Sequence, residues 1–134
     1  MTAKFFADTN IIIYVQENDR EKSLRAMMIL ESHPILSTQV ILEAINTLNV
    51  KFGFSLSDAH DIALSVLAMC KVVPVTIKTI LKASSLVECY RLSHWDSIIV
   101  AAAMLADCDI LYTEDLHHGM VFENQLRVVN PFVN

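Results

Sequence analysis

A chain of 134 residues is long enough for one hydrophobic core and too short for two independent ones, so residues 1–134 read as a single domain. Hydrophobic residues make up 54% while Gly and Pro number only 2 and 3, which excludes a disordered or low-complexity chain. The 10 basic and 15 acidic side chains leave a net charge of −5, which argues against a protein that holds nucleic acid through a broad basic surface.

The opening segment "MTAKFFADTN" lacks the apolar stretch and cleavage pattern of a signal peptide. The longest apolar run, Ile98 to Ala106, falls short of the ~20 residues that span a bilayer. A cytoplasmic protein with no membrane span is expected. Lys4 to Ala7 read as a short strand, and Asp8-Thr9-Asn10 offer cap residues for a helix over Ile11 to Gln16. A second helix is expected from Asp19 to about Ser32, where Leu24, Met27, Met28 and Leu30 recur at helical spacing ahead of Pro34. Ile35 to Ser37 then read as a strand. The helix after it places Val40, Ala44, Thr47 and Leu48 on one face, with Gly53 near its C-terminal cap. Ser55-x-x-Asp58 resembles a capping box before the helix that runs to Cys70. Val72 to Thr76 form a third strand, Thr76 and Ser93 cap two further helices, and Asp109 to Thr113 and Leu126 to Asn130 close the chain as strands. Strands alternating with helices imply an α/β fold, a central parallel sheet flanked by helices on both faces. Cys70, Cys89 and Cys108 cannot all pair with one another and have no C-x-x-C spacing, so they read as reduced, mostly buried thiols.

Four acids stand out on this outline. Asp8 follows the first strand, Asp115 follows "DILYT", Glu43 lies in about the first turn of the helix after "ILS", and Asp96 sits three residues after Ser93. All four are expected near the carboxyl ends of strands, the edge where open α/β sheets bind ligands. Taken singly, each has a plainer reading: Asp8 as a helix cap, Asp96 as the fourth residue of a Ser93-x-x-Asp96 capping box, Asp115 as a turn residue, Glu43 on a solvated stripe. Their occurrence as a set favours a shared site.

"FFADTNIIIY", "LSTQVILEAIN", "LSHWDSIIVAAA" and "ILYTEDLHHG" resemble the four acidic motifs of PIN domains, specifically those of VapC-type toxin ribonucleases of bacterial toxin–antitoxin pairs. The resemblance runs from about Lys4 to Asn130, and all four motifs stand in the family's order. It implies a PIN-like single domain with Asp8, Glu43, Asp96 and Asp115 as catalytic, metal-binding acids, and with Thr9, Asn46 and Thr113 as auxiliary polar residues. Glu114 adjoins the last motif acid without being equivalent to it, and is expected to point away from Asp115. The resemblance also implies an RNA substrate, a homodimer and a cognate VapB-like antitoxin that blocks the site.

Crowded carboxylates repel one another and take up protons unless a cation neutralises them. Oxygen donors without a Cys/His set favour Mg²⁺ or Mn²⁺ over zinc. Asp8 and Asp96 are the expected direct ligands, with Glu43 and Asp115 binding directly, through water, or to a second ion. The expected activity is metal-dependent hydrolysis of RNA phosphodiester bonds. A structure-selective DNA nuclease and a catalytically idle module gripping a basic peptide are the alternatives. Among other residues, His117 and His118 read as solvated turn residues, Lys51, Arg20, Arg25 and Arg91 as scattered surface charge, Trp95 as core, and Met27 and Met28 as core or partner surface.

Overall fold

The computed structural model describes residues 3–133. Its elements are β1 (Phe5–Ala7), α1 (Thr9–Val15), α2 (Arg20–Glu31), β2 (Ile35–Ser37), α3 (Thr38–Val50), α4 (Leu56–Met69), β3 (Lys71–Val73), α5 (Ile77–Tyr90), α6 (His94–Leu105), β4 (Ile110–Tyr112), β5 (Val121–Phe122) and β6 (Leu126–Val129). The first N–H groups of a helix have no partner within it, and short polar side chains supply one. Asp8, Asp19, Ser37, Ser55, Thr76 and Ser93 do this for α1 to α6 in turn. The reciprocal capping box is formed by Thr76 and Thr79. At Ser55 the structure has half of the expected box, with the Ser55 hydroxyl accepting from the Asp58 N–H.

The strands form one sheet in the order β3-β2-β1-β4-β6-β5. All pairings are parallel except β5 with β6, an antiparallel hairpin turned through Glu123 and Asn124 at positive φ. The chain belongs to the α/β class with a mostly parallel sheet, as its alternating pattern predicts; β5, two residues long, leaves too little period to be read from sequence. A pair of helices separates each of the first three strands from the next. The helices from α1 to α4 pack among themselves, α5 packs on α6, and α3 and α6 each lie against β2. Among the described residues no helix is long and apolar enough to cross a membrane.

The core gathers Phe6, Leu36, Leu111 and Val128 from the strands with Ile11, Ile12, Val40, Leu48 and the stretch Ile98 to Met104 of α6. Helix α6 is buried continuously from Ser97 to Met104, which is why its sequence is apolar on every face. Several expected core positions differ. On α2 the buried residues are Ala26 and Leu30, while Leu24, Met27 and Met28 are exposed, since a helix covering a small domain buries only one stripe. On α3, Ile41 is buried and Thr47 only half-buried. Of the three thiols only Cys108 is buried; Cys70 is half-buried and Cys89 exposed, because α5 turns that face to solvent.

Candidate functional site

Strand β1 lies between β2 and β4, so the chain builds outward on one side of it and then returns to the other side. Such a reversal opens a crevice at the carboxyl ends of the two diverging strands. Phe5 to Ala7 stand in register with Ile110 to Tyr112, and the Asp8 N–H continues the ladder onto the Tyr112 carbonyl at 3.0 Å. Asp8 and Thr113, each the next residue after its strand, are thereby placed side by side. The Thr113 hydroxyl, fully buried, donates to Asp8 Oδ2 at 2.8 Å and accepts from the Asp115 N–H at 3.1 Å and from Asn10 Nδ2 at 3.3 Å. Asp8 Oδ1 takes the Thr9 N–H at 2.7 Å. Asn10 Nδ2 also reaches Asp115 Oδ2 at 3.2 Å.

The Asp8 carboxyl is only 4% exposed, and burial is the main reason that it is pushed up from its ordinary value to about 6. The hydrogen bonds from Thr9 and Thr113 oppose that shift, and the charges of Asp115 and Glu43 add to it. Asp115 keeps an exposed outer surface, yet its carboxyl is also raised, first by partial desolvation and then by the charges of Asp96 and Glu114, with Glu43 adding less. These mutual effects place the four acids in one electrostatic cluster.

Glu43 projects from the second turn of α3, one turn later than expected. Its Oε2 accepts from the Thr9 hydroxyl at 2.9 Å, and its Oε1 from Gln39 Nε2 at 2.8 Å. The same Gln39 nitrogen reaches the Trp95 carbonyl at 3.3 Å, tying α3 to the first turn of α6, where Asp96 stands. The α5–α6 pair carries Asp96 in at the start of α6, and its N–H is capped by the Ser93 hydroxyl, as the Ser93-x-x-Asp96 spacing predicts.

A cavity of about 430 Å³ opens at Glu43 and Asp115, lined also by Thr9, Asn10, Glu114 and Lys51 among others, while Asp8 and Asp96 stand outside its wall. Glu114 accepts from the Tyr14 hydroxyl at 2.6 Å, a bond that pushes the phenol up to about 12. Glu114 is thus held by α1, although its charge still acts on Asp115. Thr9 and Thr113 join the hydrogen-bonded cluster, whereas Asn46 is exposed and lines a second cavity beside Glu43. His117 and His118 are exposed, with His118 Nδ1 accepting from the Asn130 N–H as part of the turn. Trp95, expected in the core, is 61% exposed: the first turn of α6 stands proud of the sheet, and burial begins only at Ser97. Asn10 and Gln39 were not singled out from sequence. The signal for Gln39 was its position four residues before Glu43, on the same helix face; Asn10 carried none beyond its proximity to Asp8.

The donor set, carboxylate and amide oxygens, has the chemistry of a hard divalent cation. The buried Asp8, whose charged form burial disfavours, and the buried Asn10 Oδ1, which has no partner, both stand to gain from positive charge. Among the described residues, no three His, Cys, Asp or Glu side chains form a ready group that could hold a metal ion. That combination fits an ion held by one or two carboxylates and completed by water or substrate, as is usual for Mg²⁺, and it does not fit an all-protein cage.

The family model described as the PIN domain matches residues 5–119. No curated protein sequence matches the chain. Among solved structures, a toxin–antitoxin complex from Klebsiella pneumoniae contains a chain 23% identical, with 98% of each chain covered and a TM-score of 0.70. DNA-bound VapBC from Salmonella typhimurium is 16% identical, covering 95% of this chain and 97% of that one, with a TM-score of 0.70. VapC20 from Mycobacterium tuberculosis, a sarcin–ricin-loop-cleaving toxin, is 18% identical over 84% of this chain and 90% of its own, with a TM-score of 0.63.

Proposed function

Because this chain belongs to the PIN domain family, we propose that it is a divalent-metal-dependent endoribonuclease and the toxin half of a toxin–antitoxin pair. The observation that carries this reading is the linkage of Asp8, Glu43 and Asp115 through Thr9, Asn10 and Thr113 at the switch between β1 and β4, with the charge of Asp96 acting on Asp115. Asp8 and Asp96 would hold Mg²⁺ or Mn²⁺, with Glu43 and Asp115 acting directly or through water. When bound, the ion supplies Lewis acidity toward the phosphodiester and lowers the pKa of water. The chain's own contribution is positioning. Thr113 orients Asp8, Thr9 and Gln39 hold the two oxygens of Glu43, and Asn10 holds Asp115. The strand ends and helix starts that carry them are rigid, so the carboxylates keep their places as charge develops on the phosphate. Lys51, at the rim of the same cavity, is suited to meet a flanking phosphate.

The partner half of the reading is supported by a second feature. An apolar groove of about 360 Å³, lined by Ile12, Val15, Met27, Leu30, Ile62 and Met69, runs between α1, α2 and α4. It suits one face of an amphipathic helix, and the acids beyond α1 suit a basic side chain on the same partner. An antitoxin placed there would silence the enzyme by competing with the metal. A homodimer is part of the proposal, supported by Ile77, Ile80 and Leu81, which α5 leaves exposed, and so is a cytoplasmic site of action.

The test compares matched single-stranded RNA and DNA in Mg²⁺, in Mn²⁺ and in chelator, using the parent and Asp96→Asn. The expected result is RNA cleavage that chelator stops reversibly and that Asp96→Asn lowers by orders of magnitude at an unchanged unfolding midpoint. Cleavage that persists in chelator, or DNA cut in preference to RNA, overturns the reading.

A further inference from the structure

Beside the acidic crevice lies a cavity of different character, about 500 Å³, walled by Thr38, Leu42, Val75 and Ile98 with Gln39 and Trp95. Glu43 lines both, so the two adjoin at that side chain. Two features of the wall are unusual for a solvent-facing surface. Leu42 and Trp95 are 66% and 61% exposed, and the His94 ring meets the indole at a centroid distance of 4.5 Å and an angle of 61°, leaving much of the indole in solvent. Gln39, by contrast, is buried: its amide nitrogen is committed to Glu43 and to the Trp95 carbonyl, and its Oε1 has no partner at all. Both partners of the nitrogen are acceptors, which fixes the orientation of the amide and makes Oε1 the spare atom. A buried acceptor without a donor is costly, and a ligand N–H is one way to satisfy it.

We propose that this cavity is a nucleobase subsite, which takes one unpaired base of the RNA strand stacked on Trp95, with Gln39 supplying a spare acceptor in its wall. The inference rests on the ribonuclease reading above and assigns the part of the substrate next to the cleaved phosphate. Every base has a π-face and an N–H on its edge, the two things that an exposed indole and an unpaired amide oxygen complement. The volume is within the range of small-ligand pockets and admits a base with its sugar. A base held in a duplex cannot leave its stack to enter without unpairing, so the subsite selects single strands and loops. A second copy of this chain could also cover Trp95, but an aliphatic contact would leave the Gln39 oxygen unpaired.

Trp95 is the one tryptophan in the sequence, so its fluorescence reports on this wall alone. The binding experiment titrates the full-length Asp8→Asn protein with a short single-stranded RNA, with an abasic ribose-phosphate strand of the same length, and with an RNA duplex. Saturable quenching by the single strand, absent with the other two, is the expected result. In the kinetic experiment Trp95→Ala lowers kcat/KM on single-stranded RNA about tenfold, the order of an aromatic–base stack, while Trp95→Phe retains most of it and sedimentation mass is unchanged. A parent enzyme that cleaves RNA while its fluorescence ignores the single strand, or is quenched equally by the abasic strand, overturns the subsite. A Trp95→Ala variant whose mass falls to that of a monomer while the parent is a dimer overturns it as well, and assigns the face to a second copy. Failure of the ribonuclease reading itself is seen separately, in a parent that cuts no RNA.

Discussion

Asp8 pays the electrostatic cost of the site, and that cost is measurable. With its carboxyl at about 6 in the native state and an ordinary value of 3.8, the native protein binds more protons than the unfolded chain between those limits. The stability associated with this group is therefore fully present below pH 3.8 and is lost as pH rises through about 6, a change on the order of 3 kcal/mol. Urea unfolding in chelator across this range should reveal that slope in the parent, and Asp8→Asn should flatten it; an unchanged slope would mean that Asp8 is not the titrating group. Sequence alone made Asp8 and Asp115 legible as acids at strand exits. It did not disclose that one threonine hydroxyl serves both, because Thr113 is 105 residues from Asp8 and only the β1–β4 pairing joins them. Trp95 was misread for a related reason. Its apolar ring predicts burial, and whether the first turn of α6 is covered depends on neighbours that local pattern does not encode.

Helix starts were the most legible elements, since a cap is a local contract between one side chain and the N–H two or three residues on. The expected caps at Asp8, Ser55, Thr76 and Ser93 are all present. This supplies a test of how element placement serves the site. Ser93→Ala and Ser55→Ala each remove one cap, from α6 and α4 respectively, and each should cost about 1 kcal/mol of stability. Only α6 carries a site acid in its first turn, so cleavage should fall several-fold in Ser93→Ala and stay near parental in Ser55→Ala, measured well below both unfolding midpoints. Equal activity in the two variants would show that the position of Asp96 does not depend on its cap. The depth of an acid within its helix was less legible at this scale: Glu43 stands in the second turn of α3, a turn later than its spacing from the strand suggested.

At the scale of the whole molecule, the excess of acids and the metal proposal meet. A cation bound by the folded state and not by the unfolded chain stabilises by mass action, so Mg²⁺ or Mn²⁺ at saturating concentration should raise Tm by several degrees in the parent and by much less in Asp96→Asn. Equal shifts in both proteins would assign the effect to general screening of the −5 charge. The groove between α1, α2 and α4 gives a second expectation. Met27→Glu places a charge in the groove wall without touching the acids, so inhibition by an antitoxin peptide should weaken at least tenfold while uninhibited cleavage is unchanged; tight inhibition of the variant would move the partner elsewhere. What the sequence by itself determined was the α/β class, the PIN family and most of the helix caps, because each rests on local periodicity, on a side chain's own chemistry, or on motifs that stay contiguous in the chain. What only the tertiary structure decided was the hub at Thr113, the bond of Thr9 to Glu43, the tie of Gln39 to the Trp95 carbonyl and the cavity beside Glu43 and Trp95, because each is made by residues distant in sequence, whose meeting is set by the fold.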